Sequence, residues 1–209
     1  MDNKIIYISY YTENTPYEQE INKYLLPSLK KFNLSYDIEA VKDLGSWQKN
    51  TGYKSTFILK MLKKHKCPVV FLDADAEILK QPTLFNNISE EYDIGVHYLH
   101  WGWIWHQNKE HSRRDLLSGT MYISYSPKTL HLVKLFIDTV KKNPNIWEQK
   151  AMQQVVENKK DIKIFKLPYS YITFPMADNT LPLHAVKKED IVILHHQASR
   201  RLKNRLNWK

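Results

Sequence analysis

The stretch that most constrains the fold of this chain is PVVFLDADAEILKQP, residues 68 to 82. Val69, Val70, Phe71 and Leu72 run without a polar break behind Pro68, and Asp73 and Asp75 follow at once. An apolar run with no alternation predicts a strand buried on both faces, as in a parallel or mixed sheet covered by helices. Such sheets open their ligand crevice outside the carboxyl ends of the strands. Two carboxylates placed there are a poor choice for stability unless something positive lies between them. If extended geometry continues past Leu72, the period-two alternation of side chains sets Asp73 and Asp75 on one side. Carboxylate oxygens are hard ligands that suit Mg2+ or Mn2+.

Around this strand the pattern alternates between β and α. KIIYISYYT reads as a first strand, and residues 16 to 32 as a helix with Ile21, Leu25, Leu29 and Phe32 on one face. Pro27 is expected to kink or divide that helix. Further strands are expected at 36–41, 92–99, 119–126 and 190–196. Helices are expected at about 55–64, at 128–142 with Leu130, Val133, Ile137 and Val140 in register, and over WEQKAMQQVVEN. Strands that alternate with helices, then a mixed second half, predict an α/β sandwich. With 209 residues and no repeat, low-complexity tract or Pro/Gly-rich linker, one domain over 1–209 with a basic tail at 199–209 is expected.

Several classes lose their support. The chain has five glycines and neither a Gly-x-Gly-x-x-Gly nor a Gly-x-x-x-x-Gly-Lys segment, which argues against dinucleotide redox chemistry and P-loop phosphoryl transfer. No serine sits in a Gly-x-Ser-x-Gly elbow. The single cysteine, Cys67, excludes an intramolecular disulfide framework and fits a reducing compartment. The first residues, MDNKIIYISYY, lack the features of a signal peptide, and no run approaches the ~18 apolar residues of a membrane span. A cytoplasmic chain is expected, with peripheral membrane contact left open. His97, His100, His106 and His111 match no zinc spacing. Trp101, Trp103 and Trp105 alternate, so on an extended segment they would line one face and form a platform for sugar rings or stacked bases.

Five segments then stand in a recognisable order: YISYYT, the VVFLDAD stretch through Leu79 and Pro82, SGTMYISYSP, WEQKAMQQVV and VILHHQASRRLK. In these the chain resembles the nucleotide-diphospho-sugar glycosyltransferases of GT-A fold. The resemblance implies a Rossmann-like three-layer α/β/α sandwich with a mixed central sheet. It implies a nucleotide-diphosphate sugar as donor, a UDP-sugar favoured, and Mn2+ or Mg2+ as cofactor. Asp73, Asp75 and His195 would hold the metal, with His196 the competing histidine on the opposite side of its strand. Tyr11, Thr12, Trp47, Lys54, Asp73, Ser118 and Gly119 would contact the donor. Arg200, Arg201 and Lys203 would clamp its diphosphate, and Glu148 and Gln149 would be the catalytic groups near the reacting sugar. Two positions depart from the family pattern: Glu148-Gln149 replaces the usual Asp-Gln, and Ala198 stands near an expected glycine. The families most similar in these segments retain anomeric configuration, which sets that expectation here.

The acceptor is less constrained. The chain carries 31 Lys and Arg against 22 Asp and Glu, a net charge of +9. Its last stretch, SRRLKNRLNWK, holds five basic residues and no acid. Such a tail suits closure over a diphosphate, or rest on an anionic membrane through Leu202, Leu206 and Trp208. It also suits tracking a nucleic-acid backbone while a modified base of DNA is glycosylated. A glycan or glycoconjugate acceptor is the leading expectation and DNA the alternative. A nucleotidyltransferase would need a Gly-rich loop after the first strand, which is missing. A non-enzymatic glycan- or nucleic-acid-binding module would have no use for the charged cluster.

Overall fold

A computed structural model describes residues 5–104, 113–176 and 178–202. Strand β1 (Ile6–Thr12) leads through helix α1 (Pro16–Glu20), a π-helical turn at Ile21–Leu25 and helix α2 (Leu26–Lys31) to strand β2 (Tyr36–Val41). Pro27 thus divides the expected helix without ending it. The Leu26 N–H is donated to the Ile21 carbonyl, one residue wider than an α-turn, just where the proline ring would crowd the helix. Helix α3 (Trp47–His65) starts eight residues before the expected position, 55. Ser46 caps it by accepting the Lys49 N–H at 3.2 Å, so the loop through Trp47 is helical instead.

Strand β3 (Val69–Leu72) stops at Leu72, and Asp73–Asp75 form a turn into the short strand β4 (Ala76–Ile78). The expectation that extended geometry carries through the aspartates is therefore corrected. After a 3-10 turn at Thr83–Asn87 comes strand β5 (Ile94–His100), then one helical turn, α4 (Trp101–Ile104). This corrects the alternating Trp platform: residues 101–104 form a helical turn, not the extended segment that the alternation needs. Trp105, His106 and His111 lie outside the described residues. Strand β6 (Arg114–Ile123) begins five residues before the expected 119. Helices α5 (Pro127–Lys142) and α6 (Glu148–Glu157), strand β7 (Ile164–Lys166), strand β8 (Ile193–His195) and helix α7 (Ala198–Leu202) complete the order.

Six strands form a central sheet in the order β2-β1-β3-β6-β5-β7. β1 pairs in parallel with β2 and β3, β6 runs antiparallel to both β3 and β5, and β7 is parallel to β5. The last strand does not join this sheet; β8 pairs antiparallel with β4 in a second, two-stranded sheet. Strand β3 is buried on both faces, as its run of apolar residues requires. Val69 and Phe71 enter the core under α3, α5 and α6, with Phe57, Met61 and Phe136. Val70 and Leu72 enter the opposite core, with Leu25, Phe85 and Ile193. This is the expected three-layer α/β/α arrangement with a mixed sheet. A third, smaller apolar cluster gathers Leu99, Leu117, Tyr169, Ile172 and Phe174 beyond the far ends of β5 and β6. No helix among the described residues is long and apolar enough to cross a membrane.

Candidate active site

The site is assembled where β3 ends beside the antiparallel strand β6. The Asp73 N–H is donated to the Gly119 carbonyl at 2.9 Å, and the Ala76 N–H to the Asp73 carbonyl at 3.0 Å, so the Asp73–Asp75 turn is pinned to β6. The small sheet brings the third residue, because Ala76 of β4 pairs with His195 of β8. One ligand atom from each of Asp73, Asp75 and His195 then falls within 4.8 Å of the others. His196 points elsewhere: its ring stacks on Tyr24 at 3.7 Å and its Nε2 meets Glu77 at 2.8 Å. Geometry thus separates the two histidines and turns His195 inward.

The donor set fits a hard divalent cation. Each carboxylate has one oxygen engaged by the protein: Asp73 Oδ1 by Lys54 Nζ at 3.0 Å, and Asp75 Oδ2 by the Ala198 N–H at 2.7 Å. The remaining oxygen of each is available, and Asp75 Oδ1 lies 3.5 Å from His195 Nδ1. His195 Nε2 meets Thr120 Oγ1 at 2.8 Å; when Nε2 donates there, the Nδ1 lone pair faces the carboxylates. Burial alone would raise the Asp75 carboxyl; when His195 Nδ1 instead carries the proton, it and the Ala198 N–H hold that carboxyl below its usual range. Gly119 is what admits this packing. A Cβ there would sit 2.9 Å from His195 Cε1 and 3.1 Å from Asp73 Oδ2.

Lys54 is buried at the third turn of α3 and serves two carboxylates. Its Nζ lies 3.0 Å from Asp73 Oδ1, 2.8 Å from Glu148 Oε1 and 3.2 Å from Ser118 Oγ. Burial opposes its charge, yet Asp73 and Glu148 hold it well above an ordinary lysine. Burial also pushes the Glu148 carboxyl up, against the pull of Lys54. Both Glu148 oxygens accept from the Ser118 hydroxyl at 3.0 Å, so the carboxylate is tied inward. Gln149, the next residue of α6, lines the open cavity.

That cavity measures about 420 Å³. Tyr11, Thr12, Trp47, Lys54, Asp73, Asp75, Ser118, Gly119, Glu148, Gln149, His195 and Arg200 all contribute to its walls. Arg201 does not: it pairs with Glu20 at 2.7 Å and holds α7 against the first helix. Lys203, Leu206 and Trp208 lie outside the described residues. Leu202, an expected membrane contact, is buried instead. Sequence reasoning missed Tyr17, Asn50, Thr120 and Trp147. Asn50 caps and cross-links the loop before α3, accepting the Leu44 N–H at 2.8 Å and donating to Asp43 at 2.7 Å. Nothing in its sequence context signals that. Thr120 sits inside the SGTMYIS segment and was legible as the residue after Gly119.

A mixed sheet with paired aspartates at the end of a central strand, a returning histidine and an aromatic-walled cavity defines the GT-A class of nucleotide-sugar glycosyltransferases. The chain belongs to the nucleotide-diphospho-sugar transferase family, whose model matches residues 27–207. Among solved structures it resembles a glycosyltransferase involved in the glycosylation of the major capsid of PBCV-1. The TM-score is 0.70 at 14% identity, over 97% of this chain and 98% of that one. It also resembles mouse xyloside xylosyltransferase 1 in its apo form, with a TM-score of 0.55 at 12% identity over 95% and 99% of the two chains. At these identities the likeness speaks for the fold. No match was found among curated proteins.

Proposed function

We propose that this chain is a metal-dependent glycosyltransferase that moves a sugar from a nucleotide diphosphate, a UDP-sugar favoured, to a glycan or glycoconjugate acceptor. The observation that carries the reading is the Asp73–Asp75–His195 cluster, its ligand atoms within 4.8 Å of each other on the wall of the cavity. Breaking the glycosidic bond leaves negative charge on the departing diphosphate, and a divalent cation supplies Lewis-acid stabilisation of that charge. Asp75 and His195 act as direct ligands, and Asp73 shares the cation or meets the ribose. Arg200, which lines the cavity, offers a bidentate partner to the phosphates. Tyr11 and Thr12, at the end of β1, contact the nucleoside. Gly119 lets the backbone approach the donor sugar, and Gln149, which lines the cavity, offers that sugar its side-chain amide. Glu148 acts through Lys54, whose charge balances Asp73. Transfer proceeds with retention of configuration, which NMR of the product anomer tests.

The deciding experiment incubates the protein with Mn2+ and a panel of nucleotide sugars and follows nucleoside diphosphate release. Asp75→Asn keeps the side-chain shape but removes a charged ligand, so release should fall about 100-fold or more with folding intact. Full activity of that variant, or of the wild type in excess chelator, sinks the metal assignment.

A further inference from the structure

The antiparallel half of the sheet reaches past the Asp73–Asp75–His195 cluster. β3 ends at Leu72 opposite Thr120, whereas β6 continues back to Arg114 and stays paired with β5 out to His100. This two-stranded ribbon overhangs the site by six residues, about 20 Å at the rise of a strand. At its end the Trp101 N–H is donated to the Arg113 carbonyl at 3.1 Å, and the indole Nε1–H to Asp115 Oδ2 at 2.7 Å. Asp115 is fully buried and is held charged by Arg113 and Lys150, which keep its carboxyl below the usual range despite burial. Asp115 thus accepts from two cationic side chains and from the indole, a network that fixes the ring's orientation. Behind the ring lies the third apolar cluster: Phe174 is 6.4 Å from Trp101 and 5.8 Å from Tyr169, centroid to centroid. Trp101, Leu117, Ile172 and Phe174 all line the same cavity as Asp73, Asp75 and His195. The Arg200 guanidinium lies 5.8 Å from the Phe174 ring and caps this wall with a donor.

Position decides what the wall is for. Tyr11, Thr12 and Tyr17 flank the cluster on the β1 side, the parallel half where nucleotides bind open sheets. In the proposed donor pose the diphosphate meets Asp73, Asp75 and His195 at the centre, which sets the donor sugar over Ser118 and Gly119. An attacking hydroxyl therefore approaches from the β5–β6 side. We infer that Trp101, backed by Phe174 and oriented by Asp115, is the acceptor platform, and that it takes the apolar face of a pyranose ring. The indole's own donor is spent on Asp115, so Trp101 presents a flat hydrocarbon surface. Phe174, Ile172 and Leu117 are largely buried and back that surface from the core side. This rests on the glycosyltransferase reading above.

Saturation-transfer NMR with UDP and Mg2+ present tests the inference, using methyl pyranosides of common hexoses and pentoses, lactose, maltose and cellobiose as probes. At least one probe should receive saturation at its ring C–H protons. Trp101→Leu should weaken that probe about tenfold, and Trp101→Phe should restore most of the affinity. Unchanged affinity in Trp101→Leu overturns the platform, as does a wild type that binds none of the probes. Preferential binding of oligothymidine, lost in Trp101→Leu, overturns the carbohydrate class. Should Trp101→Leu fail to fold, Phe174→Leu carries the same expectation. Calorimetry of UDP in each sample separates the two readings. Failure of the wild type to bind UDP while Trp101 still governs sugar binding sinks the donor assignment and leaves the platform standing.

Discussion

Gly119 shows how much of this site hangs on a single missing carbon. The residue lies on β6 between Ser118, which feeds Glu148, and Thr120, which holds His195. Its Cα faces the gap between Asp73 and the imidazole, where a methyl group would be closer than van der Waals contact allows. Gly119→Ala should therefore push ring and carboxylate apart. Mn2+ affinity in the presence of UDP should fall about tenfold, with little loss of thermal stability, as read by calorimetry and a melt. Unaltered Mn2+ binding would show that the cluster has room it does not need. Lys54 makes the opposite point at the same scale. The resemblance set Lys54 beside the donor in a loop before a helix, and only the fold reveals it as the buried, shared counter-ion of Asp73 and Glu148. Gln197 adds a third case: it takes the left-handed backbone, φ 53°, at the step where the strand turns into α7. Next to it, Ala198 supplies the N–H that Asp75 accepts, a task for which glycine is not required.

The elements are built from ordinary local signals, and most of them were legible. Helix α5 opens with Ser126-Pro127 and a reciprocal cap: Ser126 Oγ accepts the Thr129 N–H at 3.1 Å, and Thr129 Oγ1 accepts the Ser126 N–H at 2.9 Å. Its apolar stripe was visible at helical spacing. Ser126→Ala should cost about 1 kcal/mol and lower the melting temperature by ~2–4 °C. A melt that does not move would mean that Pro127 alone sets the helix start. What misled the reading was context. Helix α3 begins at Trp47 because Ser46 caps it, although Gly52 sits within its first turns. Gly52 is tolerated because Val140 packs where its side chain would be, 3.0 Å from an added Cβ. The tryptophans at 101 and 103 alternate in sequence, but a helical turn starts as the β5–β6 ribbon ends, and alternation loses its meaning there.

At the scale of the whole molecule, buried titratable groups point to an acid-labile fold. His97 is half-buried on β5 with Nδ1 on the Leu167 carbonyl at 2.8 Å, and burial lowers its pKa below the ordinary 6.5. The folded state therefore binds fewer protons than the unfolded chain, so stability is full above about pH 6.5 and falls as the pH drops toward the folded value. Asp37, paired with Lys64 and His65, and Asp115 are held below the ordinary 3.8 despite the opposing effect of burial. Their contribution is present above that value and is lost on further acidification. Thermal melts from pH 8 to pH 3 should show two successive declines, and His97→Gln should flatten the upper one while leaving the lower. A flat profile between pH 7 and 5 would show that His97 protonates without cost.

The sequence by itself determined the class of sheet, the strand that bears the aspartates and the residue types at the candidate metal site. An apolar run buried on both faces has no other stable home, and hard oxygen ligands need a hard cation. The resemblance favoured His195 over His196, and tertiary structure decided between them. His195 and His196 are neighbours of the same chemistry, and only the pairing of β8 with β4 turns one toward Asp75 and the other toward Tyr24. It also decided that Lys54 and Glu148, 94 positions apart, share one buried charge balance, and that Arg201 serves Glu20 while Arg200 faces the cavity. The physical reason is common to all three. Periodicity and composition report what a residue does to its own segment, whereas a contact between segments depends on strand order and register, which local pattern does not encode.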